Sequence, residues 1–389
     1  MSTPATASTM ITAAQQNLMN RQTVLQQAVA VYQPINSQTF NPAQTNPINI
    51  QPRYAGLMRE MVVEFEATIT NNDTVNTLTL TDFGVANLFS NVQFVDLNGF
   101  TRINTTGWHL DMIDSIKSQK PSFGCFASTT NRMVNFGENF PVILSPATIG
   151  PSTSATIAGF LRVPIAYHEG DLRGAILMAQ TNATARLVLS VNQAPFAAAG
   201  ADTTNAIYSG TTTAVISSVT INVYQNYLDQ LPVDSKGAYI LPVQDLAQNY
   251  ELITASVPNI AQGVENYYLY PNQRDFLSTI GIFDNNTTVN TGRTNGSDTN
   301  YYALKTASMY SIWQKDPATL AAETRRILKA DFPLGCYYFN SRHSPIQTSQ
   351  FGNISLALNP KTSSNSALWT LALEDFYYPN VAIMAGSVG

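Results

Sequence analysis

The stretch TTGWHLDMIDS, residues 105–115, places His109, Asp111 and Asp114 beside Trp108, in a chain that has three histidines in all. Imidazole and carboxylate are the groups that ligate metals and move protons, so spacing decides whether they can act together. On a helix, His109 and Asp111 are two positions apart and point to different faces. Asp114 is five positions from His109, which is also a poor match, because a helical metal pair needs the i,i+4 spacing of H-E-x-x-H. His109 shares its face with Ile113. The expected role is a helix-surface histidine flanking packed apolar side chains, near solvated aspartates. His168 lies in YHEGDLRG (167–174), where Asp171 and Arg173 suggest a turn with local ion pairing, and His343 lies in the polar loop NSRHSP. Neither has a third ligand placed nearby in sequence to complete a site with it. The loop DNNTTVNTGRTNGSDTN (284–300) offers Asp284, Asn285, Asn286 and Asp298, but not in the order of a calcium-binding EF-hand. Phosphate-binding glycine loops and a G-x-S-x-G nucleophile elbow are absent from the sequence. Cys125 and Cys336 each follow a glycine and precede an aromatic residue, the setting of a buried structural thiol. Two cysteines make no disulfide framework, which favours free thiols in a reducing compartment and leaves a single long-range bridge as the alternative. No enzyme, cofactor or metal site is expected.

Composition narrows the class further. The 389 residues are enough for two domains. Charged residues make up 12%, about half the usual share, while 44% are hydrophobic. Asn, Gln, Ser and Thr supply most of the polar surface. The net charge of −5 and the lack of a basic block argue against direct nucleic-acid binding, which needs clustered Lys and Arg. No apolar run approaches the roughly 20 residues that span a bilayer. The first residues lack a basic segment followed by an apolar one, so no secretory signal is expected.

Residues 1–52 contain a single charged side chain, Arg21. Within them, residues 10–32 have helical periodicity: Ile11, Leu18, Leu25 and Tyr32 recur every seven residues as one apolar stripe. Residues 33–52 carry four prolines and cannot continue a helix. The expectation is an arm with an amphipathic helix whose interaction face is that stripe, followed by an extended tether. The helix either docks on its own domain or reaches neighbours. From residue 58 the period becomes two. MVVEFEATIT (61–70), ARLVLSVN (185–192), VTINVYQNY (219–227) and LWTLALEDF (368–376) alternate as strands with one buried face. Gly, Pro, Asn and Thr clusters separate them, as in sandwich folds. Two internal segments predict helices. One is GWHLDMIDSIKS (107–118), capped by Thr105 or Thr106; the other is DPATLAAETRRILK (316–329), with Asp316 at the N-cap and Pro317 at the first position. Their surroundings look alike. Each follows a β segment that opens on Asp–Phe (82–99 and 275–286) and precedes a Pro and a Gly–Cys–aromatic (121–126 and 333–338). A duplicated β-sandwich with one helix inserted in each copy accounts for this. The division expected is an arm at 1–52, a first sandwich at 53–232 and a second at 233–389.

The chain also resembles a known family, the major capsid proteins of tectiviruses. The resemblance runs through nearly the whole chain. It is carried by LTDFGVANL (80–88), TGWHL (106–110), YQNYLDQLPV (224–233), YILP (239–242), DPATLAAETRR (316–326), DFPLG (331–335) and NPKT (359–362). It implies an all-β double jelly roll, two tandem eight-stranded sandwiches with one helix in each half and an amino-terminal helix. It also implies homotrimers of pseudo-hexagonal outline that tile an icosahedral shell over an internal membrane, with the arm between shell and membrane. Minor capsid or vertex proteins would be partners, and the protein would be made in the host cytoplasm and reside in the virion capsid. The loops at 119–140 and 284–300 depart from the family pattern, so tower shape does not carry over. The alternative is a jelly-roll carbohydrate- or receptor-binding virion protein, with Tyr267, Tyr268 and Tyr270 lining a sugar site. A metal-dependent double-barrel enzyme would need a His/Glu cluster that three scattered histidines do not supply.

Overall fold

The structure, a computed structural model, describes residues 12–40, 46–118, 132–134, 143–168, 170–178, 184–285, 299–328, 335–342, 344–363 and 367–378. The principal strands of the first half are β1 (Val29–Phe40), β2 (Ile48–Ile50), β3 (Leu57–Thr70), β4 (Phe89–Val95), β5 (Thr101–Thr105), β6 (Ser154–Pro164), β7 (Arg186–Val191) and β8 (Val215–Asp229). Those of the second half are β9 (Asn249–Pro258), β10 (Asn266–Leu269), β11 (Arg274–Asp284), β12 (Thr299–Lys305), β13 (Ser311–Lys315), β14 (Cys336–Asn340), β15 (Ser355–Pro360) and β16 (Leu368–Tyr377). The first half pairs them as β1-β8-β3-β6 and β2-β7-β4-β5. The second half pairs its strands as β9-β16-β11-β14 and β10-β15-β12-β13. The two halves therefore repeat one order, that of a jelly roll.

Alternation drives this arrangement. Met61, Val63, Phe65, Ala67 and Ile69 on β3 are buried, as are Val219, Ile221 and Val223 on β8, which lies beside it. Helix α1 spans Ala13–Gln27, α2 spans Gly107–Ser118 and α3 spans Pro317–Leu328. Both α2 and α3 lie between the fifth and sixth strands of their halves. Asp316 caps α3, accepting the Thr319 N–H at 3.0 Å. The duplication extends to detail: Ile176–Leu177 pairs with the start of β3, and Ile346–Gln347 pairs with the start of β11.

Two expectations are corrected. The Asp–Phe segments are not equivalent, because Asp82–Phe83 precede the fourth strand of their half while Asp275–Phe276 lie in the third strand of theirs. The helix expected through Tyr32 stops at Gln27, and the tether expected at 33–52 contains β1 and β2. β1 runs antiparallel to β8 from Val29↔Asp229 to Phe40↔Val219. Val29, Val31 and Tyr32 suit a strand better than a helix once a partner is present. Pro34 is tolerated because β1 is an edge strand and its register slips between Pro34 and Asn36.

The halves share one sheet. β5 pairs in parallel with β9, Ile103 opposite Leu252 and Asn104 opposite Ile253. The central strands of the second half's part of that sheet, β11 and β16, are buried on both faces. Trp369, Leu371 and Leu373 of β16 enter the second core, while Ala372, Leu252 and Ile280 join the first.

Candidate assembly site

α1 opens with a capping box: Thr12 Oγ1 accepts the Gln15 N–H at 3.2 Å, and Gln15 Oε1 accepts the Thr12 N–H at 2.9 Å. A helix of this length is marginal alone in water, so its docking matters. The docked face is Asn17, Asn20, Arg21 and Val24, spaced i, i+3, i+4, i+7. Val24 is fully buried in a small cluster with Leu57, Leu228 and Leu231. Asn17 Nδ2 donates to Asp245 Oδ1 at 2.7 Å, and its Oδ1 accepts the Gln244 N–H at 2.9 Å. Asn20 Nδ2 donates to the Leu241 carbonyl at 2.9 Å. The Arg21 guanidinium grips Asp245 through both carboxylate oxygens, at 2.5 and 2.7 Å. That hydrogen bond raises the already high Arg21 pKa against the opposing effect of burial. The short turn Val243–Leu246 that presents Asp245 also accepts the Gly174 N–H, so α1, the first half and the second half meet there.

The stripe Ile11, Leu18, Leu25, Tyr32 is not brought together. Leu18 is 48% exposed beside exposed Met19, and Leu25 is half-buried against the small cluster. Tyr32 lies on β1, its ring stacked on Tyr224 at 4.8 Å. Ile11 lies outside the described residues. Sequence reasoning missed Arg21, whose signal was being the one charge in an otherwise uncharged segment.

A second constellation locks the halves. Glu374 on β16 is fully buried. Its Oε2 accepts from Arg342 Nε at 2.8 Å, Arg342 Nη2 at 2.6 Å and Ser278 Oγ at 2.6 Å. Its Oε1 accepts from Tyr250 OH at 2.7 Å and lies 3.1 Å from Lys117 Nζ of α2. Lys117 also donates to the Tyr167 carbonyl at 2.9 Å and sits 4.3 Å from the Tyr250 ring centre. Desolvation opposes the Glu374 charge, but Arg342 and then Lys117 outweigh it and hold the pKa down at about 2.

His109 is fully buried, which corrects the expectation of a surface histidine; α2 packs against the Gly84–Leu88 turn, β4 and β6, and Trp108 stacks on the imidazole at 3.5 Å. Its Nδ1 lies 2.8 Å from Thr106 Oγ1, and its Nε2 has no partner among the described residues. Desolvation pushes its pKa down to about 3, so the imidazole is neutral. Asp171 and Arg173 form the expected local pair. His343, Cys125, Asn286 and Asp298 lie outside the described residues, and Cys336 is half-buried on β14. Among the described residues no His, Cys, Asp or Glu side chains gather as a metal site, and no helix is long and apolar enough to cross a membrane. Tyr267, Tyr268 and Tyr270 do not line one face: Tyr267 is exposed, Tyr268 packs against the second core, and Tyr270 is buried with its hydroxyl on Asp375.

Comparison with known proteins agrees with this architecture. Residues 2–231 match the family described as P3 major capsid protein N-terminal, and residues 247–389 match P3 major capsid protein C-terminal. The chain is 36% identical over 376 residues to the major capsid protein P3 of Enterobacteria phage PRD1, covering 96% of this chain and 93% of that one. Among solved structures, the STIV major capsid protein shares the fold with a TM-score of 0.64 at 12% identity, covering 92% of this chain and 99% of its own. The major capsid protein P2 of bacteriophage PM2 does so with a TM-score of 0.50 at 6% identity, covering 90% and 99%. A double jelly roll with a docked amino-terminal helix and a match along both halves has one reading: the chain belongs to the P3 major capsid protein family and is a structural protein of a virion capsid, not an enzyme.

Proposed function

We propose that three copies of this chain close into a trimer of nearly hexagonal outline, and that these trimers tile an icosahedral shell over an internal viral membrane. The observation that carries this is the repeated strand order. Two sandwiches of one topology per chain become six in a trimer, so one gene product fills hexagonal positions through heterologous contacts that close a ring. The arm, residues 1–28, faces the membrane side. The first jelly roll continues to 232 and the second begins at 233. Leu18 and Met19, turned outward on α1, meet lipid or a neighbouring subunit. Minor capsid and vertex proteins complete the shell, the chain is made in the host cytoplasm, and its acidic net charge keeps it off nucleic acid.

Light scattering on the purified protein tests the oligomer. Three chains of 42.4 kDa give a mass of about 127 kDa. A single-chain mass under gentle conditions overturns the proposal. The arm is tested by removing residues 1–27; a cut at 52 would also remove β1 and β2. Trimers should persist while shell assembly or membrane contact fails, and normal particles from that deletion would exclude the role.

A further inference from the structure

Glu251 on β9 and Asp375 on β16 are cross-strand partners, directly opposite each other. Both are almost fully buried. They also share one donor: Arg274 Nη1 donates to Glu251 Oε2 and, at 2.8 Å, to Asp375 Oδ1. Two carboxylates that meet at one nitrogen are within about 5 Å of each other, since hydrogen bonds are about 3 Å long. Like charges placed opposite across a strand pair repel, and burial strengthens the repulsion.

The surrounding charges do not cancel it. Arg274 faces the pair from β11, its guanidinium over the Tyr377 ring. The next cation, Arg102 on β5, is committed to Asp96 at 2.8 Å and to the Gly174 carbonyl at 2.7 Å. Asp96 is itself a third carboxylate within electrostatic range of Glu251. Tyr270 donates to Asp375 Oδ2, and Tyr268 of β10 faces it from the opposite sheet. The cluster therefore holds three buried carboxylates and two guanidiniums, one anion in excess.

We propose that Glu251 and Asp375 hold one proton between them in the folded protein, and that its release as pH rises weakens the closure of the second jelly roll where it joins the first. Desolvation, with Glu251 adding to it and Arg274 opposing, lifts Asp375 to about 7, and Glu251 is displaced the same way. A carboxyl raised in the fold stabilises it fully below the unfolded value near about 4. That contribution shrinks about tenfold in the folding equilibrium per pH unit until the folded value is passed.

Stability of the full chain is measured by denaturant melts from about pH 4 to about pH 8 for the wild type, Asp375→Asn and Glu251→Gln. The amide mimics the protonated acid. Neutral buried His109 contributes an opposite slope over part of this range, so the difference between curves is what counts. Each variant should gain on the wild type as pH rises, by about tenfold per unit, and level off above neutrality. Curves parallel to the wild type overturn the proposal. If neither variant folds, infrared spectra of the wild type decide. A protonated-carboxyl C=O band present at about pH 6 and lost by about pH 8 supports the shared proton; its absence at the lower pH refutes it.

Discussion

Replacing Arg21 with alanine should free α1 without unfolding either jelly roll. The substitution leaves Asp245, whose carboxylate is almost fully buried, without its guanidinium. Removing one partner of a buried ion pair costs about 3–5 kcal/mol. Arg21 keeps 24% of its side-chain exposure, so water reaches part of the vacated site and the cost falls to about 2 kcal/mol. Asn17 still holds Asp245 and the Gln244 N–H, and buried Val24 still contributes about 2 kcal/mol, so the helix stays mostly docked. A change of about 2 kcal/mol is about 30-fold in the undocked population. Amide hydrogen exchange along α1, and at Gln244, should accelerate by about that factor while amides of β3 and β16 keep their protection. Exchange in α1 within twofold of the wild type (about 0.4 kcal/mol) would show that the ion pair does not hold the helix, and the docking account would fail.

Leu18→Ser should leave α1 exchange unchanged, since the side chain points outward, but lower assembly yield in a particle assay if the outward face meets a neighbour or lipid. Glu374→Gln leaves Lys117 and Arg342 buried without their anion, and should cost about 3–5 kcal/mol. Calorimetry should then show the two halves melting separately, whereas an unchanged single transition would count against the lock. His109, neutral in the fold at about 3 against an unfolded value of about 6.5, contributes stability that is present above about pH 6.5 and lost as pH falls towards about 3. His109→Phe should flatten that acid limb in denaturant melts. Gly174 has φ of +88° and its absent Cβ would lie 2.6 Å from the Tyr250 Cβ, so Gly174→Ala should destabilise by more than about 1 kcal/mol in the same melts.

Much of the fold was legible because it is local. The period-2 runs at β3, β7, β8 and β16 bury the residues their alternation indicates, and α2 and α3 begin where their caps place them. What escaped depends on partners remote in sequence. Ala28–Tyr32 fits helix and strand equally, and β8 decides the matter by pairing with it. Asn17 and Asp245 are 228 positions apart, so no window contains both. A helical wheel puts His109 at the surface, yet α2 packs against β4, β6 and the Gly84–Leu88 turn, and that burial is invisible to spacing. Leu18, Leu25 and Tyr32 do not share one helix face for a related reason: β8 draws Tyr32 into β1, and the contacts of Asn17 and Arg21 with Asp245 are ones hydrophobic periodicity does not register.

The pairing of β1 with β8 also sets a clock on synthesis. The first strand made must wait for the last strand of its half, from Val29 to Asp229, before its edge hydrogen bonds can form. At about 5–20 residues per second that interval is about 10–40 s. The anchor for α1 emerges later still, at Asp245. A nascent chain therefore carries its amino-terminal segment unattached until both halves of the joint have been translated. Exposed Leu18 and Met19 reach their final orientation only after Asp245 has been made.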